Sequence, residues 1–158
     1  MILSAETRAQ QPEPEPPEGF KMTGLGPLPE GWRVQRMGDV LTQRTQAVRV
    51  TAGGRYTRLG VRWYAEGPFN KQPVSGGEIR GQVLYRVEPR NFVCNRLFSW
   101  KGSFGVVSHE MIDCHVSGEF PVFECDPSRV DPFSLWRLCS QPSVWRMTEN
   151  RSSGTTKD

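Results

Sequence analysis

The chain has 158 residues, of which 36% are hydrophobic, and its formal net charge is +3 at pH 7. This length predicts one domain with one modest core. No apolar run approaches the roughly 20 residues that a membrane helix needs. Residues 1–4 lack the basic and apolar regions of a signal peptide. We therefore expect a cytoplasmic protein with no membrane partner.

The charge is unevenly distributed. Residues 32–101 hold thirteen Lys and Arg against four Asp and Glu, and only two of the thirteen are Lys. A basic centre favours a polyanionic partner. Arginine can fork onto phosphate or onto guanine O6 and N7 in a way that lysine cannot. A solvated basic face explains the composition equally well.

The first 41 residues are expected to be mostly irregular. Residues 1–23 are rich in Pro and Glu and predict an extended tail. A Gly/Pro-rich stretch follows at 24–31, and then Trp32 and Val34 suit a short strand. Gly38-Asp39 predicts the start of a helix, with Asp39 near its N-cap.

Residues 56–64 show the clearest strand signal in the chain, because apolar and polar residues alternate there. The odd-numbered set is expected to face the core: Thr57, Leu59, Val61 and Trp63. The even-numbered set is expected to face solvent or a ligand: Tyr56, Arg58, Gly60, Arg62 and Tyr64. Residues 67–77, with Lys71 and Gln72, predict a long loop of the kind that is often functional.

Residues 78–87 predict a further strand, and residues 91–123 hold three short apolar runs bounded by Gly, Ser and Asn. Such runs at 91–98, 102–107 and 120–123 indicate a sheet. The polar positions around them supply cations, small hydroxyls and an aromatic ring: Arg96, Ser99, Trp100, Lys101 and Ser103. This mixture suits a nucleic-acid backbone and base edges, and it also suits an ordinary exposed turn.

The C-terminal part predicts helices. Asp131 is a good N-cap with Pro132 at the first helical position, and an apolar helical pattern runs to Cys139. Residues 143–146 predict a second short helix, and residues 151–158 a frayed polar end. Strands followed by helices predict an α+β fold, here a small single domain with a twisted, mostly antiparallel sheet and a few short helices.

No catalytic or metal-binding pattern is present. The sequence lacks G-x-S-x-G, P-loop and H-E-x-x-H motifs and any glycine-rich cofactor turn after a strand. Glu110, Asp113 and Glu119 lie near one another without the lysine of a nuclease site. The four cysteines form no C-x-x-C pair and predict reduced thiols in or near a core. We expect no enzymatic activity, no cofactor and no metal.

Five segments in order resemble one known family, the target recognition domain of the specificity (S) subunit of type I restriction-modification systems. The segments, read from the sequence, are GLGPLPEGW at 24–32 with MGDV at 37–40, GQVLYRV at 81–87, SFGVV at 103–107, VSGEFPVF at 116–123 and SGTT at 153–156. The third resembles the family's Gly-Ala-Phe-Gly segment, with Ser103 where Ala is usual. The fourth resembles its S-x-x-F-P-x-F segment.

The resemblance implies a non-catalytic, DNA-binding specificity subunit. In such subunits two recognition domains each read one half of a bipartite double-stranded site, and long helices space them and dock the methyltransferase (modification) subunits of a complex that also holds the restriction subunit. The resemblance covers residues 24–156. The sequence stops where the spacer helix is expected, so we expect a half-subunit without spacer helix or second recognition domain, and self-pairing would restore a bipartite reader.

Under this hypothesis eleven residues bind DNA. Phosphate and guanine contacts fall to Arg58, Arg62, Lys71, Arg96 and Lys101. Base-edge hydrogen bonds fall to Gln72, Asn95, Ser99 and Ser103. Contacts to a thymine methyl or a sugar fall to Tyr64 and Trp100.

Each assignment has a structural alternative. Arg58 and Arg62 could pair with Glu78 or Glu88 across the sheet, Asn95 could cap a turn, and Trp100 could be a core aromatic. The whole chain could instead be a basic, non-catalytic protein-interaction module or an inactive remnant of a specificity subunit. A fragment of a nuclease or methyltransferase is a further alternative.

Overall fold

The computed structural model describes residues 15–152, which belong to two compact units divided after Arg36. The first unit contains an antiparallel hairpin of β1 (Phe20–Thr23) and β2 (Gly26–Pro29). Gly26 has a φ of +97°, which glycine adopts at little steric cost, so the chain reverses there.

This hairpin differs from two predictions. It begins inside the stretch that we expected to be an extended tail, whose first fourteen residues lie outside the described range. The strand predicted at Trp32 and Val34 is wrong, because residues 32–36 have no regular structure. The Gly/Pro-rich stretch supplies the turn and the second strand of the hairpin, and the chain after it leads irregularly to the first helix.

The second unit begins at Met37 and contains most of the regular structure. Its helices and strands in chain order are α1 (Met37–Val40), β3 (Leu41–Arg44), β4 (Ala47–Arg49), β5 (Arg55–Tyr56), β6 (Leu59–Arg62), β7 (Gly67–Asn70), β8 (Val74–Ser75), β9 (Val83–Arg86), β10 (Phe92–Cys94), β11 (Phe104–Val106), β12 (His115–Val116), β13 (Val122–Cys125), α2 (Pro132–Cys139) and α3 (Pro142–Arg151). Three short 3-10 turns lie at Gly76–Glu78, Ser99–Lys101 and His109–Met111.

All named strand pairs of the described residues are antiparallel. One sheet has the order β11-β10-β13-β3 and a second has the order β12-β9-β4. The pairs β5–β8 and β6–β7 follow one another along a single long hairpin, residues 55–75, which we call the ribbon. Small antiparallel sheets with short helices confirm the α+β prediction.

Strand β10 has a buried residue on each face, because successive side chains of a strand alternate. Val93 packs in a cluster with Leu59 and Val61 of the ribbon. Its neighbour Phe92 packs in a second cluster with Leu135 of α2. The ribbon and α2 therefore lie against opposite faces of the same sheet.

The contact between ribbon and sheet depends on a glycine. A Cβ atom on Gly105 of β11 would lie 2.4 Å from Cδ of Pro68 and 3.0 Å from Cα of Gly67, both in β7. Only a residue without a side chain allows this approach. The ribbon therefore packs against the sheet at the SFGVV segment.

Two predictions for residues 67–87 are corrected by the structure. Residues 67–77 are not an irregular loop, because they contain β7 and β8, the returning strand of the ribbon. The strand predicted at 78–87 begins only at Val83. Ser75 and Glu78 form a capping box on the 3-10 turn Gly76–Glu78, so the chain turns there instead of extending.

The predicted helix after Asp131 is confirmed. The Asp131 carboxylate accepts a hydrogen bond of 3.0 Å from the Ser134 amide, and Pro132 occupies the first turn. Helix α3 is longer than predicted, because Pro142 both follows α2 and starts the next helix. The SGTT segment lies outside the described residues. Among the helices that the structure describes, none has the length and apolar character needed to cross a membrane.

Candidate nucleic-acid interface

The ribbon is a two-stranded hairpin with a nearly continuous ladder. Strands β5 and β8 pair at its open end, and β6 and β7 pair near its tip. Between these pairs the Lys71 amide donates a hydrogen bond of 2.8 Å to the Arg58 carbonyl. A two-stranded β-ribbon is one of the two elements that fit into the major groove of B-DNA.

The tip of the ribbon is strained and fixed. Tyr64 and Ala65 have φ values of +56° and +57°, a conformation that residues with side chains adopt rarely. Their amides donate hydrogen bonds of 2.7 Å to the Lys101 carbonyl and 2.8 Å to the Gly102 carbonyl. The 3-10 turn Ser99–Lys101 therefore holds the tip, and it brings Tyr64 and Lys101 of the predicted site together.

The outer face of the ribbon carries an aromatic ring between two cations. Phe69 lies across Gly60, where a Cβ atom would come within 2.5 Å of the ring. The guanidinium carbon of Arg62 lies over the same ring, 4.5 Å from its centroid. The Lys71 side chain also passes over Gly60, because the same Cβ atom would lie 2.9 Å from Cε of Lys71. Arg62 and Lys71 are both exposed.

The predicted direction of the strand residues is partly confirmed. Leu59 and Val61 are buried, and Arg62 is exposed, as the alternation predicted. Two residues contradict the alternation: Trp63, expected in the core, is 40% exposed, and Tyr56, expected on the outer face, is buried. Its hydroxyl accepts a hydrogen bond of 3.0 Å from the Thr51 amide, and its ring packs edge-on against His115.

Six basic side chains of residues 49–80 form no ion pair with any described residue. They are Arg49, Arg55, Arg58, Arg62, Lys71 and Arg80. The two carboxylates in this segment are Glu66 and Glu78, and Glu78 accepts a hydrogen bond from the Ser75 amide. Neither Glu78 nor Glu88 pairs with Arg58 or Arg62 as the structural alternative required. We call this segment with its six cations the ribbon region.

The other arginines around the two larger sheets are paired with carboxylates. The five ion pairs of the described residues are Arg44–Glu124, Arg86–Asp113, Arg90–Asp131, Arg96–Glu119 and Arg129–Asp126. Further cations of the second unit without a pair in the described part are Lys101 and three helical residues, Arg137, Arg146 and Arg151. The unpaired cations that follow one another along the chain are those of the ribbon region.

Arg96 has the best-formed of these pairs. Its Nε and Nη2 donate hydrogen bonds of 2.8 and 3.0 Å to the two carboxylate oxygens of Glu119. The hydrogen bond from Arg96 lowers the pKa of Glu119, and the same bond raises the pKa of Arg96. This contact occupies two of the five N–H donors of the guanidinium, and the Glu119 carboxylate repels a phosphate from that side. Arg96 is therefore placed less favourably for DNA than Arg62 or Lys71.

Two predicted base-edge residues are buried and serve the fold. Ser103 is 0% exposed, and its hydroxyl donates a hydrogen bond of 2.8 Å to the Val61 carbonyl. Asn95 is buried, and its side-chain oxygen accepts from the Leu97 amide at 3.1 Å, which is the turn-capping alternative. Neither side chain reaches a partner outside the domain in this conformation, so we leave both out of the proposed interface.

Lys101 is surrounded by aromatic rings. Its ammonium nitrogen lies 4.0 Å from the centroid of Trp63, 4.7 Å from that of Trp100 and 6.0 Å from that of Phe98. An ammonium over ring faces is attracted by the ring quadrupoles. Lys101 therefore connects the tip of the ribbon to the 3-10 turn Ser99–Lys101. Ser99 and Trp100 of the predicted site lie in this turn and are half-buried.

Arg58 is half-buried beside His115. The two residues form an isolated parallel bridge, and neither Arg58 Nε nor His115 Nδ1 has a hydrogen-bond partner among the described residues. Burial, opposed by a hydrogen bond with Thr57, lowers the pKa of His115 below its ordinary 6.5. His115 is therefore neutral at pH 7, and Arg58 is less accessible than Arg62.

Burial raises the pKa of all four cysteines. Burial raises the pKa of Cys94 to about 12 and that of Cys139 to about 11, so both are protonated thiols at neutral pH. Within residues 15–152, no three His, Cys, Asp or Glu side chains are grouped as a metal site would need.

Sequence reasoning missed several residues of this surface. The sequence prediction placed Phe69 in a loop. An aromatic residue favours a strand, so Phe69, three positions before Gln72, was a local signal for the returning strand of the ribbon. Its position over Gly60 depends on the pairing of β6 with β7, which no local pattern reports. Arg49, Arg55 and Arg80 belonged to the basic centre without being assigned a role.

The comparisons with known proteins agree with this architecture. No protein-family model matches the sequence, and the search of curated proteins gave no match. Among solved structures, the crystal structure of the HsdS subunit from Thermoanaerobacter tengcongensis is similar, with a TM-score of 0.69 and 16% sequence identity. The alignment covers 87% of this chain and 37% of that subunit.

This likeness shows the fold. The chain spans about a third of the HsdS subunit, and over that third it has the same α+β arrangement. The structural resemblance agrees with the resemblance of the sequence segments to the type I specificity subunit. It leaves the site residues to be tested on this chain.

Proposed function

We propose that this chain recognises double-stranded DNA as a target recognition domain, residues 24–156, of a type I restriction-modification specificity subunit. The observation that carries the proposal is the ribbon region, where six cations without described carboxylate partners follow one another along the chain, four of them on the ribbon itself. The fold of an HsdS subunit and the five sequence segments support it.

The proposed roles of these residues in DNA binding follow from the positions of their side chains. Arg49, Arg55, Lys71 and Arg80 contact phosphates, which set register without reading sequence. Arg62, on the outer face of the ribbon, is available for a base edge. Tyr64 lies two residues further toward the tip, and Gln72 follows Lys71 on the returning side of the ribbon. The half-buried Ser99 and Trp100 contribute at the edge of this surface.

The chain itself performs no chemistry in this proposal. It reads one half of a bipartite site in cytoplasmic DNA and directs methyltransferase and restriction subunits to it, and two copies pair to read both halves. The protonated thiols and the ion-paired carboxylates around the sheet are consistent with a binding role. No cofactor is assigned to the chain.

Salt dependence of DNA binding tests the proposal directly. The full chain should bind random-sequence duplex DNA, and the logarithm of the binding constant should fall linearly with the logarithm of salt concentration, with a slope of about 0.9 for each phosphate contact. The variant R49Q/R55Q/K71Q should lose about 2.7 of that slope, since three contacts at about 0.9 each are removed.

A matched control removes three positive charges from ion pairs. In R44Q/R90Q/R129Q the net charge changes by the same amount, but each of the replaced guanidinium groups already faces a carboxylate. The slope should stay close to that of the unmodified chain. Equal losses in the two triple variants would contradict an interface on the ribbon region, and a shallow slope of the unmodified chain would contradict DNA binding.

The partner assignment needs a second experiment. The chain is co-expressed with a type I methyltransferase subunit, and methylated bases are mapped in host DNA. A methylated site that depends on the chain and disappears in R49Q/R55Q/K71Q would support the specificity role. A palindromic site would show that two copies pair.

A protein-interaction module is the second candidate. Exposed apolar side chains near the ribbon tip favour it: Tyr64 is 62% exposed, Leu97 42% and Trp63 40%. Such clusters occur at protein interfaces. A partner bound through them would show a shallow salt dependence and would be lost in Tyr64→Ala, whereas R49Q/R55Q/K71Q would bind it normally.

A further inference from the structure

One arginine of the ribbon region differs from all the others. Arg62 is exposed, forms no ion pair with a described residue and lies over an aromatic ring, Phe69. Arg90 also lies over a ring, that of Phe133, but it is paired with Asp131. Arg58 is half-buried, and its Nε has no contact with solvent.

The remaining arginines of the ribbon region lack the ring. Arg49, Arg55 and Arg80 are exposed near the open end of the ribbon and have no aromatic partner among the described residues. Their long side chains must lose rotamer freedom when they bind. A phosphate, which accepts from many directions, tolerates such a side chain better than a base edge does.

We propose that Arg62 reads a guanine in the major groove and that Phe69 positions its guanidinium for this contact. The inference rests on the proposed DNA-binding function and deepens it. Guanine presents O6 and N7 side by side as acceptors, and arginine can donate two parallel N–H groups to them. The ring of Phe69 offers no competing acceptor, so those donors stay available.

Gly60 makes this arrangement possible. Phe69 occupies the space above Gly60, and a Cβ atom there would come within 2.5 Å of the ring. The ring therefore lies low on the ribbon, and the guanidinium rests 4.5 Å from its centroid. Because the stack limits the positions of the guanidinium before DNA arrives, less side-chain entropy is lost on binding.

The neighbours of Arg62 leave its donors available. Lys71 passes the other side of Gly60 and carries a compact charge suited to a phosphate. Glu66 lines the same open concavity as Arg62 at the ribbon tip without forming an ion pair with it. Glu66 is therefore a nearby charge that weakens DNA attraction to this point without occupying the donors of Arg62.

Selection of binding sites from a random duplex DNA pool tests the inference. The full chain and four single variants, R62K, F69L, F69Y and K71Q, are each used to select sites that are then sequenced. The unmodified chain should prefer guanine at one position by roughly 5- to 150-fold, the range expected for one bidentate contact. R62K should lose that preference at that position alone.

The other variants separate positioning from attraction. F69L should reduce the guanine preference with an unchanged salt slope. F69Y, which keeps a ring, should retain the preference. K71Q should weaken binding to all sequences and leave the preference intact. Thermal unfolding of each variant checks that the fold is retained.

The contrary outcomes are distinct. If R62K weakens all sequences equally and keeps the guanine preference, Arg62 is a phosphate contact and the inference fails. If F69L keeps the full preference, Phe69 has no positioning role. If the unmodified chain binds DNA without base preference, the inference fails while the proposed function stands. If it does not bind DNA at all, the proposed function itself fails.

Discussion

The ribbon region and the sheet edges around it use arginine in different ways. In residues 49–80 none of the six cations is paired with a described carboxylate, and all of them except the half-buried Arg58 are exposed. From Arg86 onward, three successive arginines each contact a carboxylate, at Asp113, Asp131 and Glu119. The same residue type neutralises acids in one region and stays available in the other.

Because of this difference, the positive charge is concentrated in one region of the protein, although the net charge is modest. Exposed ion pairs contribute little to stability, but each one cancels its own field at a distance. A net charge of +3 therefore concentrates its effect where acids are missing, which is along the ribbon.

Replacing Gly105 by Ala should disrupt the packing of the ribbon against the sheet. The added Cβ atom would lie 2.4 Å from Pro68 Cδ and 3.0 Å from Gly67 Cα, so backbone must move. Overpacking of this kind costs about 1–3 kcal/mol of unfolding free energy, measured by urea denaturation. Gly53→Ala is the control, since nothing lies within 4 Å of its Cβ position. Equal stability of the two variants would contradict a tight seat of the ribbon on the sheet.

Replacing Lys101 by Met should loosen the ribbon tip. The ammonium lies 4.0 Å from the Trp63 centroid, and a cation over a ring contributes about 0.5–2 kcal/mol. Urea denaturation should report a loss in this range, while the salt slope of DNA binding stays unchanged. Lys71→Met is the comparison variant. Its ammonium lies 5.9 Å from the Phe120 centroid, a longer contact than that of Lys101 with Trp63, so it should lose less stability, while the salt slope should fall by about 0.9. A reduced slope in Lys101→Met would return Lys101 to the DNA contacts.

These contrasts show which parts of the structure the sequence could predict. The alternation around Leu59 and Val61 and the Asp131 cap are local signals, and both predicted correctly. Strand β7 has four residues and begins with Gly and Pro, and β8 has only two residues, so no period distinguishes them from a loop.

The pairing of the arginines could not be predicted for a different reason. Arg96 and Glu119 are 23 residues apart, and Arg90 and Asp131 are 41 apart. Which cation meets an acid is decided by the register of distant strands, and so is the position of Phe69 over Gly60. The sequence could therefore predict a basic centre. Which of its cations are unpaired and available to a ligand became visible only in the fold.

The free energy of unfolding should depend on pH because of His115, which lies against the inner side of the ribbon. Its folded pKa is lowered by burial, with smaller effects from Arg86 and Asp113, so the unfolded chain takes up a proton at higher pH than the folded chain. Stability should be complete above about pH 6.5 and should fall as the pH drops through the unfolded pKa. Urea denaturation at several pH values measures this.

The control for this prediction is the same measurement on two substitutions. His115→Phe keeps a ring against Tyr56 and removes the titrating group, so the loss of stability between pH 7.5 and 5.5 should shrink. His109→Phe, at the other and exposed histidine, should keep the loss. The carboxylates with lowered pKa values, such as Asp131, act in a lower pH window and do not interfere.

The smallest effect is expected at Arg96, which the sequence had assigned to DNA. Because its donors are held by Glu119, Arg96→Gln should leave the salt slope of DNA binding within measurement error. Glu119→Gln should instead strengthen DNA binding, since it converts a paired arginine into a free one. The double variant has neither charge and should return to the affinity of the unmodified chain, in which the two charges cancel. A loss of slope in Arg96→Gln alone would mean that DNA displaces Glu119, and the distinction between the two regions would then describe the free protein only.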